Sequence, residues 1–185
     1  MNLLNKNQMK TLLTFLFISI TYITFCQTPS AANTKWLKLN DNQFSVEYPD
    51  DWDLDSSKQM GTSFILFSPV ESEKDTFKEN INLIIQDLKG MNIDLDQFAE
   101  LSLGQIKSMV TNCVIDESKK IKNGSTEFHR IIYSGDQGVF HLQFEQYYII
   151  QQEKAYVLTF VTEKTSFLKF KGTGEKILNS FLPKN

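Results

Sequence analysis

A chain of 185 residues with 19 Lys+Arg against 22 Asp+Glu carries a net charge of −3 at neutral pH. That balance excludes the basic footprint of a nucleic-acid binder and gives no general attraction to an anionic membrane surface. Two cysteines and a single arginine, Arg130, leave neither a disulfide framework nor a guanidinium cluster for phosphate.

Met1–Lys10 holds two lysines and no acid, and Thr11–Phe25 is a continuous run of Leu, Phe, Ile, Thr and Tyr. The run is shorter than the roughly 20 apolar residues that a membrane span needs. Residues 1–26 are expected to be a signal peptide, with Thr24 and Cys26 as the small residues before a cut at Gln27. An alternative makes Cys26 a lipidated cysteine, against which the bulk of Phe25 stands, and a third leaves the segment uncleaved as an anchor. The expected product is exported, periplasmic or secreted, and touches a membrane only if Cys26 is lipidated. Removal of the signal leaves 17 Lys+Arg against the 22 acids, a net charge of −5, and Cys113 as the one thiol. Residues 27–34 (QTPSAANT) have no apolar periodicity and read as a flexible linker. Residues 35–185 suffice for a single domain held by its core.

Trp36, Leu37 and Leu39 predict a first short strand. Phe44–Tyr48 predicts a second, which Pro49 ends because proline cannot donate to a ladder. Asp50-Asp51 supplies a turn and Trp52 drops a large ring into the core. A brief strand over Asp53–Asp55 follows. Thr62–Ser68 and Asn80–Leu88 are apolar on both parities, the pattern of strands covered on both faces, and the charged Glu71–Glu79 between them reads as a loop.

Asp94 followed by Gln97 is a capping box, with Ile93 and Phe98 placed as a hydrophobic staple. Leu95, Phe98, Ser102, Ile106 and Met109 then recur at helical spacing to about Val110, with Met109 expected in the core. Cys113 is expected near the start of the next strand as a small buried hydrophobe. Val114–Ile121 and Ser125–Tyr133 flank Asn123-Gly124, a hairpin signal that outweighs the glycosylation triplet Asn123-Gly-Ser. Ser134–Gly138 predicts a further turn, then Val139–Gln151 a long strand with Phe140, Leu142, Phe144, Tyr148 and Ile150 on one parity and His141, Gln143 and Glu145 on the other. Glu153-Lys154 turns the chain into Ala155–Thr162, so the last four strands form an antiparallel meander. Thr165 or Ser166 caps a closing helix with Phe167, Phe170, Gly174, Ile177 and Phe181 on one face. Gly174 in that stripe implies a close approach of helix to sheet.

The chemistry is sparse. His129 and His141 on neighbouring strands, with Glu127 and Glu145, are the one candidate set of metal ligands, and a site needs three or four of them on one face. No Gly-x-Ser-x-Gly elbow is present for a serine hydrolase. No cation stands near Cys113 in the sequence to make it a nucleophile. Glu71/Glu73 and Asp94/Asp96 are explained by solvation and by the helix dipole.

Phe44–Trp52 (FSVEYPDDW), the strand Asn80–Leu88 before a capped helix, and Lys154–Phe181 (KAYVLTFVTEKTSFLKFKGTGEKILNSF) together resemble the PsbP-like family, whose best-known member is the extrinsic PsbP subunit of photosystem II. The resemblance spans roughly residues 36–183. It implies an α+β fold, a mostly antiparallel sheet sandwiched by helices, and members that act by binding other macromolecules. The expected function is an exported, non-catalytic binding or assembly module of the cell envelope, with a protein partner, no cofactor and no nucleic acid. The alternative is a carrier or modifying enzyme with a small apolar pocket between sheet and helices. The expected partner surface is the polar parity of the meander, carrying Arg130, His141 and Glu145.

Overall fold

The computed structural model describes residues 34–184 apart from 74 and 125. The expected signal peptide, Cys26 and the linker up to residue 33 lie outside the described residues. Within them the fold is α+β, with ten strands, all antiparallel, and two helices.

Strands β1 (Trp36–Asn40), β2 (Phe44–Pro49) and β10 (Leu182–Pro183) form a small sheet in the order β1-β2-β10. The large sheet has the order β3-β4-β5-β9-β8-β7-β6. Its strands are β3 (Asp53–Asp55), β4 (Phe64–Phe67), β5 (Asn80–Asp87), β6 (Thr111–Asn123), β7 (Thr126–Gln137), β8 (Phe140–Gln151) and β9 (Lys154–Glu163). Helix α1 (Leu95–Met109) joins β5 to β6, and α2 (Phe167–Ser180) joins β9 to β10. β6 to β9 are the expected meander.

Each face of the large sheet has its own core. On one face α1 lays Leu95, Phe98, Ala99 and Ile106 against Ile131, Tyr133, Phe144 and Tyr148. Phe98 meets Tyr148 edge-on at 5.4 Å, a favoured arrangement of ring quadrupoles. The capping box fixes where this helix starts: the Gln97 amide donates to Asp94 Oδ1 at 2.9 Å and the Asp94 amide to Gln97 Oε1 at 3.0 Å. On the other face α2 and the small sheet bring Ile177, Leu178, Phe181, Phe44 and Val46 onto Phe64, Leu66, Leu158 and Phe160. Pro49 ends β2 as its last paired residue, and Trp52 re-enters this core with its amide donating to the Pro49 carbonyl at 3.1 Å. β10 was not visible in the sequence; two residues are too few to carry a period.

Three expectations need correction. Met109 is 48% exposed. The helix stops there and Val110 turns extended, so Val110 takes the core position. Ser134–Gly135 is strand, not turn: β7 runs to Gln137 and reverses over Gly138-Val139, with Gly138 at φ 60°. Gly135 is retained because the Val110 side chain occupies the space of a Cβ there. In the preceding hairpin Asn123 pairs with Thr126, so Asn123 belongs to the ladder and not, as expected from the sequence, to the turn. Ser166 caps α2 without a side-chain hydrogen bond.

Candidate functional site

The two-residue turn at Gly138-Val139 sets the register of the residues the sequence singles out. Arg130 pairs with Tyr147 and Ile132 with Glu145, so Arg130 and Glu145 are diagonal neighbours on the face that α2 covers. Arg130 Nε donates to Glu117 Oε1 at 2.5 Å, and Nη1 lies 3.6 Å from Glu145 Oε1 and 3.5 Å from Glu175 Oε1. One guanidinium thus serves three carboxylates, from β6, β8 and α2. Lys119 stands 2.8 Å from Glu117 and Lys171 3.8 Å from Glu175. The Arg130 hydrogen bond holds Glu117 below the usual carboxylate range, and the same contact raises the guanidinium's own pKa.

Glu145 is 0% exposed, and neither of its oxygens has a hydrogen-bond partner among the described residues. Burial first, and Glu175 second, push its carboxyl up to about 7. The parity of β8 expected to face outward is therefore interior, since Gln143 and Tyr147 are buried beside it. α2 and the segment leading into it lie over this face, a long-range fact that the alternation of one strand does not encode. Glu145 forms no part of the surface, and Arg130 is largely enclosed.

A polar row crosses the sheet next to this cluster. Ser134 pairs with Gln143, and Gln143 with Thr162. Glu79 sits one rung beyond the paired Asn80 and Val161, and the Ser68 amide donates to its carbonyl at 2.8 Å. Strands β7, β8 and β9 thus supply Ser134, Gln143 and Thr162, and Glu79 and Ser68 continue the row just before β5 and just after β4, all five buried. Lys164 Nζ donates to Ser134 Oγ at 2.9 Å and Gln143 Nε2 to Asp116 Oδ2 at 2.8 Å. Ser68 Oγ donates to Glu79 Oε2 at 3.2 Å, while Thr162 Oγ1 has no partner. Burial, reinforced by Asp75 and Glu71, raises Glu79 to about 7. The sequence placed Glu79 in a charged loop; its only signal was adjacency to a two-sided strand.

The histidines do not meet. His129 faces α1 and His141 faces the other way, because one pairs with Tyr148 and the other with Asp136. His129 Nε2 lies 2.9 Å from Ser118 Oγ, and burial pushes its pKa down. Glu127 is 3.9 Å from Lys120. With Glu145 across the sheet, the four candidate ligands share no centre, and no group of three His, Cys, Asp or Glu converges among the described residues. Cys113 is half-buried in β6, and burial raises its thiol pKa.

His141 belongs to a different, exposed feature. Its Nδ1 is 2.5 Å from Asp136 Oδ1, and Asn112 Nδ2 donates to Asp136 Oδ2 at 2.5 Å. These contacts, Asn112 first, hold the Asp136 carboxyl below its ordinary value. Val139, in the turn from β7 into β8, is 93% exposed, and Val114 at 51% and Met109 at 48% flank Asn112 along the chain. They are three of the six large hydrophobics exposed among the described residues. The sequence showed Val139 only as the start of a strand; the register moves it to the tip of the turn.

No protein-family model matches the chain, and no curated protein matches it. Solved structures do. Cyanobacterial PsbP (CyanoP) from Synechocystis sp. PCC 6803 superposes with a TM-score of 0.58 at 12% identity, over 86% of this chain and 98% of that one. The fold is PsbP-like. The same PsbP-like arrangement is shared by LpqN of Mycobacterium tuberculosis, a protein involved in cell envelope biogenesis, with a TM-score of 0.60 at 14% identity over 83% and 93% of the two chains. PA94 of Pseudomonas aeruginosa, a protein of unknown function, gives 0.59 at 10% identity over 81% and 98%. Identities this low carry the fold and no residue's role.

Proposed function

We propose that the protein is an exported, non-catalytic binding or assembly module of the cell envelope, and that its contact surface is the end of the sheet around Val139 and His141. The observation that carries this reading is the placing of exposed apolar side chains. Val139 lies in the turn next to the paired Asp136 and His141, Val114 and Met109 stand two and three residues from Asn112 in the chain, and apolar area beside oriented polar groups is the composition of a protein contact. Arg130 and Glu145, the other residues singled out in the sequence, serve inside the fold as the tie between β6, β7, β8 and α2.

The aromatic richness that motivated a carrier or a modifying enzyme is taken up by packing. Tyr133 stacks on Phe144 at 4.7 Å, Phe128 on Tyr147 at 4.3 Å and Phe44 against Phe64 at 5.5 Å. Residence in the envelope is supported by the signal pattern of residues 1–26 and by the role described for LpqN.

The test is recovery of partners from an envelope fraction on immobilised protein. Val139→Asp and His141→Ala, each with an unchanged melt, are expected to lose a partner that wild type and Leu168→Asp retain. Leu168 is another highly exposed apolar residue, on α2, so it controls for stickiness. Equal recovery by all four proteins overturns the assignment of the surface.

A further inference from the structure

We propose that the N-terminal half of α2 is a pH-gated lid, which packs on the sheet when Glu145 and Glu79 carry protons and loosens when they ionise. Both carboxyl groups are buried on the face of the sheet to which α2 docks. Glu145 neighbours Phe160 across the ladder, and Phe160 is the ring against which Gly174 of α2 is pressed. Glu79 sits at the other end of the polar row, below the loop that Lys169 of α2 grips through its ion pair with Glu71.

Among the described residues neither carboxylate has a cation of its own. Around Glu145 stand Arg130 of β7, already bonded to Glu117 of β6, Tyr147 of its own strand, the neutral Thr162 of β9, and Glu175 and Lys171 of α2. Around Glu79 are Ser68 of β4, Asp75 and Glu71 of the loop, Thr162, and Lys169, which is committed to Glu71. A buried carboxylate without a dedicated partner is costly when charged, and it escapes either by keeping its proton or by reaching water.

The helix is built to open at one end. Its C-terminal half is anchored by buried Ile177 and Leu178, with Phe181 just beyond. Its N-terminal half offers Phe167 and Phe170, which are only partly buried, and a cap without a side-chain bond. Gly172 and Gly174 lie between the halves and weaken the helix there. The ties on the opening side are polar: Lys164 to Ser134 and Lys169 to Glu71. Lifting that half hydrates both carboxylates and Thr162 Oγ1.

The sign follows from linkage. In the closed state both groups titrate near 7, and in water they return to about 4.5, so the closed state holds protons that the open state releases. Closure is strongest below about 4.5, weakens as pH rises through about 7 and is flat above that.

Amide hydrogen exchange of the wild-type chain, corrected for intrinsic rates, reads this directly. Residues 167–173 are expected to lose protection by about tenfold or more between pH 5 and pH 8, while 177–180 and β8 hold theirs. Glu145→Gln combined with Glu79→Gln removes the difference. Equal protection at both pH values, or the same loss in the double variant, overturns the proposal. If the double variant does not fold, carbon-13 NMR titration of the wild-type glutamate carboxyls decides: midpoints near 7 for these two support the lid, and midpoints near 4.5 overturn it.

Discussion

Gly174 of α2 and Phe160 of β9 approach so closely that a methyl group on the glycine would overlap the aromatic ring. Gly172, two residues earlier, faces open space. Alanine favours a helix over glycine by about 1 kcal/mol at either position, so the two sites separate propensity from packing. Gly172→Ala is expected to stabilise by up to about 1 kcal/mol. Gly174→Ala is expected to destabilise by about 1–3 kcal/mol through overpacking, both read from denaturant melts.

Phe181 is the point where α2, the small sheet and the large sheet meet. It is 3% exposed, and its ring lies 5.7 Å from both Phe44 and Tyr156. Phe181→Ala is expected to cost about 3–5 kcal/mol. A shift below about 0.5 kcal/mol would mean that the helix terminus is not docked as described.

Among the described residues Arg130 is the one cation that reaches all three of Glu117, Glu145 and Glu175. Arg130→Ala leaves three carboxylates facing one another, and loss of a partner from such a cluster costs about 3 kcal/mol. Burial pushes the Glu145 carboxyl up to about 7 and Arg130 opposes that shift, so the repulsion left behind falls as the group takes up its proton in acid. Urea melts of wild type and variant at the two pH values are expected to show a larger loss at pH 8. Equal losses would mean that Glu145 stays in one protonation state throughout.

The elements themselves were largely legible, because two-sided strands, a capping box and a glycine-bearing hairpin each have a local physical cause. The misses share a different one. Ser134-Gly135 has the composition of a turn, yet Val110 of a distant segment requires a small residue there and the ladder carries on through it. Gln143 and Glu145 read as an outward parity because nothing in β8 announces that α2 will cover it. Glu79 read as loop for the same reason: its burial is decided by strands β4 and β9. Arg130 and Glu145 could be placed as neighbours from the turn alone, while the role of Glu175 depends on a helix over 40 residues further along the chain. His141 was drawn to attention as a possible ligand, whereas its geometry pairs it with Asp136 beside exposed apolar residues.

Export makes a separate prediction. With Thr24 and Cys26 before the cut, the native protein is expected to begin at Gln27. Intact-mass analysis of material from its own envelope checks this. Retention of residues 1–25, or a diacylglyceryl mass on Cys26, would replace cleavage by anchoring.

On the proposed function, the end of the sheet around Val139 makes the contact that defines the protein's role. Site-specific photo-crosslinking in the native host, with the reactive side chain placed in turn at positions 139, 109 and 168, tests it most directly. One discrete adduct is expected, shared by positions 139 and 109 and absent at 168. Adducts at 168 alone, or none at 139 and 109 in folded and exported protein, would contradict it.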